Sequence, residues 1–186
     1  LYFAKNGRLK SHKFTRAMIR CAANLSYEDV QSAIDGKIGE AAAPFVDGVL
    51  KPLYGAYAAV KAARDKRQPL ELDLPERKVI LDKEGMVAEV KLRERLDAHR
   101  LIEDFMITAN VAAAEALESQ RSPLLYRVHE VPSEAKVEAL RDYLDSLDIR
   151  LAKGQVIRPA LFNRVLERAK DTPNSEGISE MVLRSQ

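Results

Sequence analysis

The sequence of 186 residues has a single cysteine, Cys21, and no tryptophan. One cysteine excludes an internal disulfide and any zinc site built from several thiolates. No uninterrupted apolar run approaches the roughly 20 residues that a bilayer-spanning helix needs. The start of the chain also lacks the basic and then apolar pattern of a secretory signal. We therefore expect a soluble, reduced, cytoplasmic protein without a membrane partner.

Glycine and proline are sparse as well, with 8 residues of each, whereas 46% of the residues are hydrophobic and 31% are charged. This composition excludes collagen-like and disordered classes. The length suits one domain or a large piece of one. Because the chain opens at Leu1 without a methionine and closes at Gln186 inside a helical pattern, we expect a piece of a longer protein.

The charge is unevenly distributed along the chain. The net charge is only +2, yet no acidic residue precedes Glu28, and six basic residues lie in that opening stretch: Lys5, Arg8, Lys10, Lys13, Arg16 and Arg20. A basic face of this kind can bind phosphates. The alternative is a solvated segment whose charges pair with acidic helices elsewhere.

The first half of the sequence predicts a hairpin followed by helices. Asn6-Gly7 between apolar-rich runs predicts a turn joining Leu1–Ala4 to a strand that reaches Arg20. Ser26 is a typical N-cap for a short helix that stops at Gly36. A helical region is predicted from about 40 to 67, where two prolines indicate a late start or a kink.

The second half predicts a second hairpin and then mainly helices. Strands are expected within 70–91 around the Lys83-Glu84-Gly85 turn, and another at Leu124–Val128. Helices are expected at roughly 93–119, 134–147, 159–169 and 175–186. The predicted fold class is therefore α+β, predominantly helical with short strands.

Polar residues within the 93–119 helix are the most informative feature for function. At about 100° per residue, Asp97, Arg100 and Asp104 fall on one predicted outward stripe. The apolar arc on the opposite side, with Ile102, Met106, Ile107 and Leu117, is predicted to be buried and contains His99, Glu103 and Asn110 on one line. Buried polar groups need partners, so this row is either an internal hydrogen-bond network or part of a ligand-facing cleft.

Three stretches carry a resemblance to a known family. They are Leu25-Ser26-Tyr27-Glu28-Asp29-Val30-Gln31, the helix segment Ala98–Asn110 with His99-Arg100-Leu101-Ile102-Glu103 as its most specific part, and Tyr126-Arg127-Val128-His129-Glu130-Val131-Pro132. In this order and spacing the chain resembles the RNB domain of ribonuclease II and ribonuclease R-type 3′→5′ exoribonucleases. The 70–76 and 182–186 stretches extend this resemblance over essentially the whole chain.

The resemblance implies hydrolysis of single-stranded RNA from its 3′ end to nucleoside 5′-monophosphates, with Mg²⁺ held by an aspartate cluster. It implies that Tyr27 packs near the 3′-terminal nucleotide and fixes where cleavage stops. It also implies that Glu103 contacts a ribose, whose 2′-hydroxyl distinguishes RNA from DNA. Single-stranded RNA is the expected partner, and the expected parent is a monomeric enzyme.

Several family features have no match in this sequence. The metal-binding aspartates correspond to a region before residue 1, and the arginine motif that contacts the scissile phosphate corresponds to a region after Gln186. The nearest match to a base-clamping aromatic is Leu72. We therefore expect 1–186 to be a partial RNB domain, inactive alone, with no catalytic or metal-binding residue and with Tyr27 and Glu103 binding substrate.

Two other functions remain open from the sequence. The first is a non-catalytic RNA-binding module derived from the RNB domain, in which the upstream aspartates are degenerate. The second is a helical interaction domain without a role in nucleic-acid binding.

Overall fold

The computed structural model describes residues 1–72, 74–128, 130–154 and 157–185. Helices predominate and two antiparallel pairs of short strands accompany them, so the predicted α+β class is confirmed. The chain divides into two compact units. Unit 1 comprises Leu1–Arg67 and Arg95–Leu125, and unit 2 comprises Gln68–Glu94 and Tyr126–Gln186. Of the residues in the resembling stretches, Asp73, His129 and Gln186 lie outside the described part.

Unit 1 begins with the predicted hairpin, formed by β1 (Tyr2–Phe3) and β2 (Leu9–Ser11). Gly7 supplies the turn, where its φ of +78° favours a residue without a Cβ. The predicted extension of the second strand to Arg20 is wrong, because residues 12–25 adopt neither helix nor strand. Most side chains in this segment are exposed, including that of Cys21. The partial alternation of apolar and polar residues is therefore not accompanied by a partner strand in the described part of the chain.

Helix α1 (Tyr27–Ile34) starts and stops where its sequence signals predict. The Asp29 amide donates a 3.0 Å hydrogen bond to Ser26 Oγ, as expected for a helix N-cap. The chain leaves the helix through Gly36, whose φ of +93° is the left-handed conformation that commonly ends helices.

The predicted helical region around 40–67 is split into three parts by its prolines. A 3₁₀ turn at Ala43–Phe45 leads into a π-helical turn at Val46–Leu50, which continues as α2 (Lys51–Asp65). Proline 52 lacks an amide donor and its ring crowds the carbonyl four residues earlier, so a regular α turn is disfavoured there. The wider π turn accommodates this missing bond.

Helix α3 (Asp97–Ser119) packs against α1 and α2, but with the opposite face to the one predicted. Its buried side consists of Ala98, Leu101, Asp104 and Ala112, whereas Ile102 is 40% and Met106 58% exposed. The prediction that Asp104 points outward and that the apolar arc is buried is therefore wrong. The small side chains of Ala98 and Ala112 allow α1 and α2 to approach α3 closely. This close packing determines which face of α3 is buried, although the opposite face carries bulkier apolar residues.

Unit 2 contains the second hairpin and three helices. Strands β3 (Arg77–Leu81) and β4 (Val87–Leu92) pair with Val79 opposite Val90, as predicted around the 83–85 turn. The helices are α4 (Glu134–Asp145), α5 (Pro159–Ala169) and α6 (Ser175–Arg184). The predicted strand at Leu124–Val128 is wrong, since these residues pair with no strand in the described part of the chain.

Helices α4, α5 and α6 enclose an apolar core within unit 2. The core side chains are Leu140, Leu144, Leu151, Leu161, Phe162, Val165, Ala169, Ile178 and Val182. Asn163 fastens the preceding loop of the same unit, because its amide donates to the Pro69 carbonyl at 2.8 Å and accepts from the Glu71 amide at 3.0 Å. Unit 2 thus has a core of its own.

Candidate functional site

The aromatic ring of Tyr27 lies flat against the ring of His99. The ring centroids are 4.1 Å apart and the planes are inclined by 23°, so the rings are stacked. Tyr27 is the first residue of α1 and remains 38% exposed, whereas His99 lies in the first turn of α3. The stack therefore joins the starts of two helices and leaves part of an aromatic side chain open to a ligand.

Gln31 connects the same two helices one turn further along α1. Its Oε1 atom accepts a 3.0 Å hydrogen bond from the Ala98 amide and a 3.5 Å hydrogen bond from the Tyr54 hydroxyl. Burial, together with the nearby carboxylates of Asp97 and Asp35, raises the pKa of Tyr54 to about 12. Tyr54 therefore stays protonated as a donor at neutral pH, and this contact connects α2 to α1 and α3.

The carboxylate of Glu103 lies one turn after His99 on α3. It accepts a short hydrogen bond and forms an ion pair with the Arg95 guanidinium, and both side chains are 40% exposed. The prediction of a buried glutamate is thus wrong, because the face that carries Glu103 is open to solvent. A half-exposed carboxylate whose orientation is set by an arginine is suited to accept hydrogen bonds from a ligand hydroxyl.

Asp104 is buried on the other side of α3, only 3% exposed. The Nε atom of Arg64 on α2 approaches its Oδ1 atom at 3.4 Å, and neither carboxylate oxygen accepts a hydrogen bond within the described residues. Burial raises the pKa of Asp104, although the guanidinium of Arg64 opposes this effect. Asp104 belongs to the packing between α2 and α3 rather than to the open side of the site.

The structure brings the two predicted site residues close to one another through His99. Tyr27 contacts His99, and His99 is four residues before Glu103 on α3. Asn110, the third member of the predicted polar row, is exposed further along the helix. Neither Gln31, which ends the first resembling stretch, nor Arg95 was predicted as a site residue, and the one signal in the sequence for Arg95 is its opposite charge ahead of Glu103.

The described residues contain no group of three or more histidine, cysteine, aspartate or glutamate side chains placed to hold a metal ion. They also contain no helix long and apolar enough to cross a membrane. The basic residues of the opening stretch are all exposed, as a phosphate-binding face would require.

Comparison with known proteins identifies the family. The family model described as RNB domain matches residues 1–186, and the chain therefore belongs to the RNB domain family. The resemblance read from its sequence is confirmed.

Among the similar proteins are Ribonuclease R of Vibrio parahaemolyticus and of Escherichia coli, each 33% identical over 184 residues. These alignments cover 98% of this chain, which spans only 22% of the length of either relative. A solved structure titled "Mycoplasma genitalium RNase R in complex with ribose methylated single-stranded RNA" matches with a TM-score of 0.87 and 25% identity. That match covers 98% of this chain and 29% of the solved one.

Proposed function

We propose that this chain is part of the catalytic domain of a 3′→5′ exoribonuclease that degrades single-stranded RNA to nucleoside 5′-monophosphates. The observation that carries this proposal is the match of the RNB domain model to all 186 residues. Relatives named Ribonuclease R and a neighbouring structure with single-stranded RNA support the same activity.

Within that enzyme, this chain contributes to the wall of the RNA channel rather than to the reacting centre. The partly exposed ring of Tyr27 and the carboxylate of Glu103 are the groups that bind the substrate. Their arrangement supports this role, since a ring can stack on a nucleotide and a carboxylate can accept a hydrogen bond from a 2′-hydroxyl.

The parent enzyme requires Mg²⁺, which would activate water and stabilise the leaving oxygen. The described residues of this chain do not fit that ion, because they gather no cluster of oxygen ligands. We assign the metal ligands to an aspartate cluster before residue 1 and the phosphate-binding arginine to a region after Gln186. We further propose that the parent is monomeric and cytoplasmic.

A degradation assay tests the proposed activity. The full-length parent and the 186-residue chain would each be incubated with Mg²⁺ and single-stranded RNA labelled at its 5′ end. We expect stepwise shortening from the 3′ end by the parent and none by the isolated chain. Inactivity of both would favour the non-catalytic RNA-binding module, and activity of the chain alone would place a metal site within it.

Replacing Glu103 with alanine is expected to weaken the preference of the parent enzyme for RNA over DNA 3′ ends by about tenfold or more. The reason is the loss of a hydrogen bond between a charged acceptor and the ribose 2′-hydroxyl, which is worth roughly 1.5–3 kcal/mol. Cleavage rates would be compared on RNA and on the same strand ending in deoxynucleotides. Glu115→Ala, an exposed change on the same helix, serves as the control, and unchanged discrimination by Glu103→Ala would contradict the ribose contact.

Replacing Tyr27 with alanine is expected to change the length of the final product of the parent enzyme, leaving longer oligonucleotides. A base stacked on an aromatic ring gains roughly 1–3 kcal/mol, so short products would dissociate earlier without it. Product length would be read on a denaturing gel. Tyr27→Phe keeps the ring and is the matched control, and an identical product ladder from Tyr27→Ala would refute this role.

A further inference from the structure

His99 makes two contacts that were not predicted from the sequence. Its ring stacks on Tyr27 with a centroid separation of 4.1 Å. Its Nδ1 atom accepts a 3.2 Å hydrogen bond from the amide of Leu96, the residue before the first turn of α3. One half-buried side chain is thus tied to both the aromatic residue and the helix that carries Glu103.

The hydrogen bond from the Leu96 amide selects one tautomer of the His99 ring. A nitrogen that accepts a hydrogen bond has no proton, so Nδ1 is unprotonated and the proton of the neutral ring is on Nε2. The Nε2 atom is buried and makes no hydrogen bond within the described residues. With Nδ1 already accepting from Leu96 and Nε2 buried, His99 offers an RNA strand no hydrogen-bonding group.

The contacts of His99 instead set the positions of its two neighbours. The stack defines the plane in which the Tyr27 ring is presented, and it covers one face of that ring. The hydrogen bond at Leu96 satisfies an amide at the start of α3, where helix donors lack partners within the helix. Glu103 follows one turn later on the same helix, where its carboxylate is paired with Arg95.

We propose that His99 is a positioning residue of the RNA site, which holds the ring of Tyr27 in the orientation that receives the substrate. The inference rests on the proposed function, since it requires that Tyr27 contacts RNA. It extends that function by assigning the affinity for RNA in part to a residue that has no hydrogen-bonding group free for RNA.

Two substitutions separate the two contacts. His99→Gln removes the ring but keeps an acceptor at the helix position where glutamine commonly caps. His99→Phe keeps the ring but removes the acceptor. In the full-length enzyme we expect His99→Gln to raise KM for single-stranded RNA by roughly three- to tenfold, the size expected for one aromatic contact, with a loss of Tm no larger than that of His99→Phe. We expect His99→Phe to lower Tm and retain most of the affinity for RNA.

A merely structural role would move Tm and KM together in both variants, and that result would overturn the proposal. The double variant Tyr27→Ala/His99→Gln supplies the second test. If His99 acts through Tyr27, KM of the double variant equals that of Tyr27→Ala alone. Multiplied effects, or an unchanged KM in His99→Gln, would refute the positioning role while leaving Tyr27 in place. An unchanged KM and product length in Tyr27→Ala would instead refute the proposed RNA contact, and the inference with it.

Discussion

Replacing Gly7 with alanine is expected to destabilise unit 1 by about 3 kcal/mol and to release the first hairpin from α2. Gly7 is buried at the turn of this hairpin, with φ at +78°. A Cβ atom there would overlap the Ala59 carbonyl oxygen and lie 2.9 Å from the Val60 amide nitrogen. Both atoms belong to the backbone of a helix, which cannot move aside as a flexible side chain can. The expected cost combines an unfavourable backbone conformation of roughly 1–2 kcal/mol with an overpacking cost of similar size.

Gly85 offers a matched control for this prediction. It occupies the turn of the second hairpin with a φ of +82°, close to that of Gly7, but an added Cβ would meet no atom within 4 Å. Gly85→Ala is therefore expected to cost only roughly 1–2 kcal/mol, from the backbone conformation alone. Urea unfolding of both variants measures the difference. Equal losses of stability would contradict the close approach of Gly7 to α2.

Replacing Arg64 with methionine is expected to lower the free energy of unfolding by about 3 kcal/mol at neutral pH. Methionine keeps most of the side-chain volume but leaves the Asp104 carboxylate buried without its cation. Removing one partner of a buried ion pair costs roughly 3–5 kcal/mol, and the partial exposure of Arg64 places this pair at the lower end. Lys51→Met, at the start of α2, removes an exposed pair with Asp47 and should cost less than about 1 kcal/mol.

The cost of Arg64→Met should depend on pH. Burial raises the pKa of Asp104 above its ordinary value of 3.8. The positive charges of Arg64 and Lys61 lower this pKa, whereas the negative charges of Glu103 and Asp65 raise it. For a carboxyl with a raised pKa in the folded state, the stabilising contribution is complete below the unfolded-state pKa and is lost as the pH rises through the folded-state pKa. Removing Arg64 raises the folded-state pKa of Asp104 further. The pH range between the unfolded-state and folded-state pKa therefore extends toward neutral pH.

The destabilisation caused by Arg64→Met is thus expected to be small near pH 4 and to grow toward pH 7. Asp104→Asn removes the titrating group, so adding it to Arg64→Met should restore most of the stability at neutral pH. Urea denaturation at several pH values would follow both variants. A cost that is constant with pH, or no rescue by Asp104→Asn, would show that Arg64 acts through packing of its stem and not through its charge.

Local signals in the sequence were sufficient for most of the fold. The Asn6-Gly7 turn, the Ser26 cap and the stop at Gly36 each depend on neighbours within a few residues, and the structure confirms each of them. The predicted extension of the second strand from residue 12 to Arg20 and the predicted strand at 124–128 are wrong because a strand also needs a partner strand. Alternation within one segment does not supply that partner.

The site was predicted less completely, and α3 shows why. Tyr27 and Glu103 came from the resemblance of motifs, whereas their environment depends on which face of α3 meets α1 and α2. The helix has apolar residues on both sides, so periodicity could not choose between them. The buried contact of Asp104 with Arg64 and the stack of His99 on Tyr27 join residues about 40 and 70 positions apart, beyond the reach of local pattern analysis.

The exposed Cys21 has a practical consequence for the experiments above. It is the one cysteine among the 186 residues and lies in the segment between β2 and α1, only six residues before Tyr27. A thiol-reactive fluorophore would therefore label the isolated chain at a single known position. A change in the emission of that dye when an RNA oligonucleotide is added would report on binding near the segment that leads into α1.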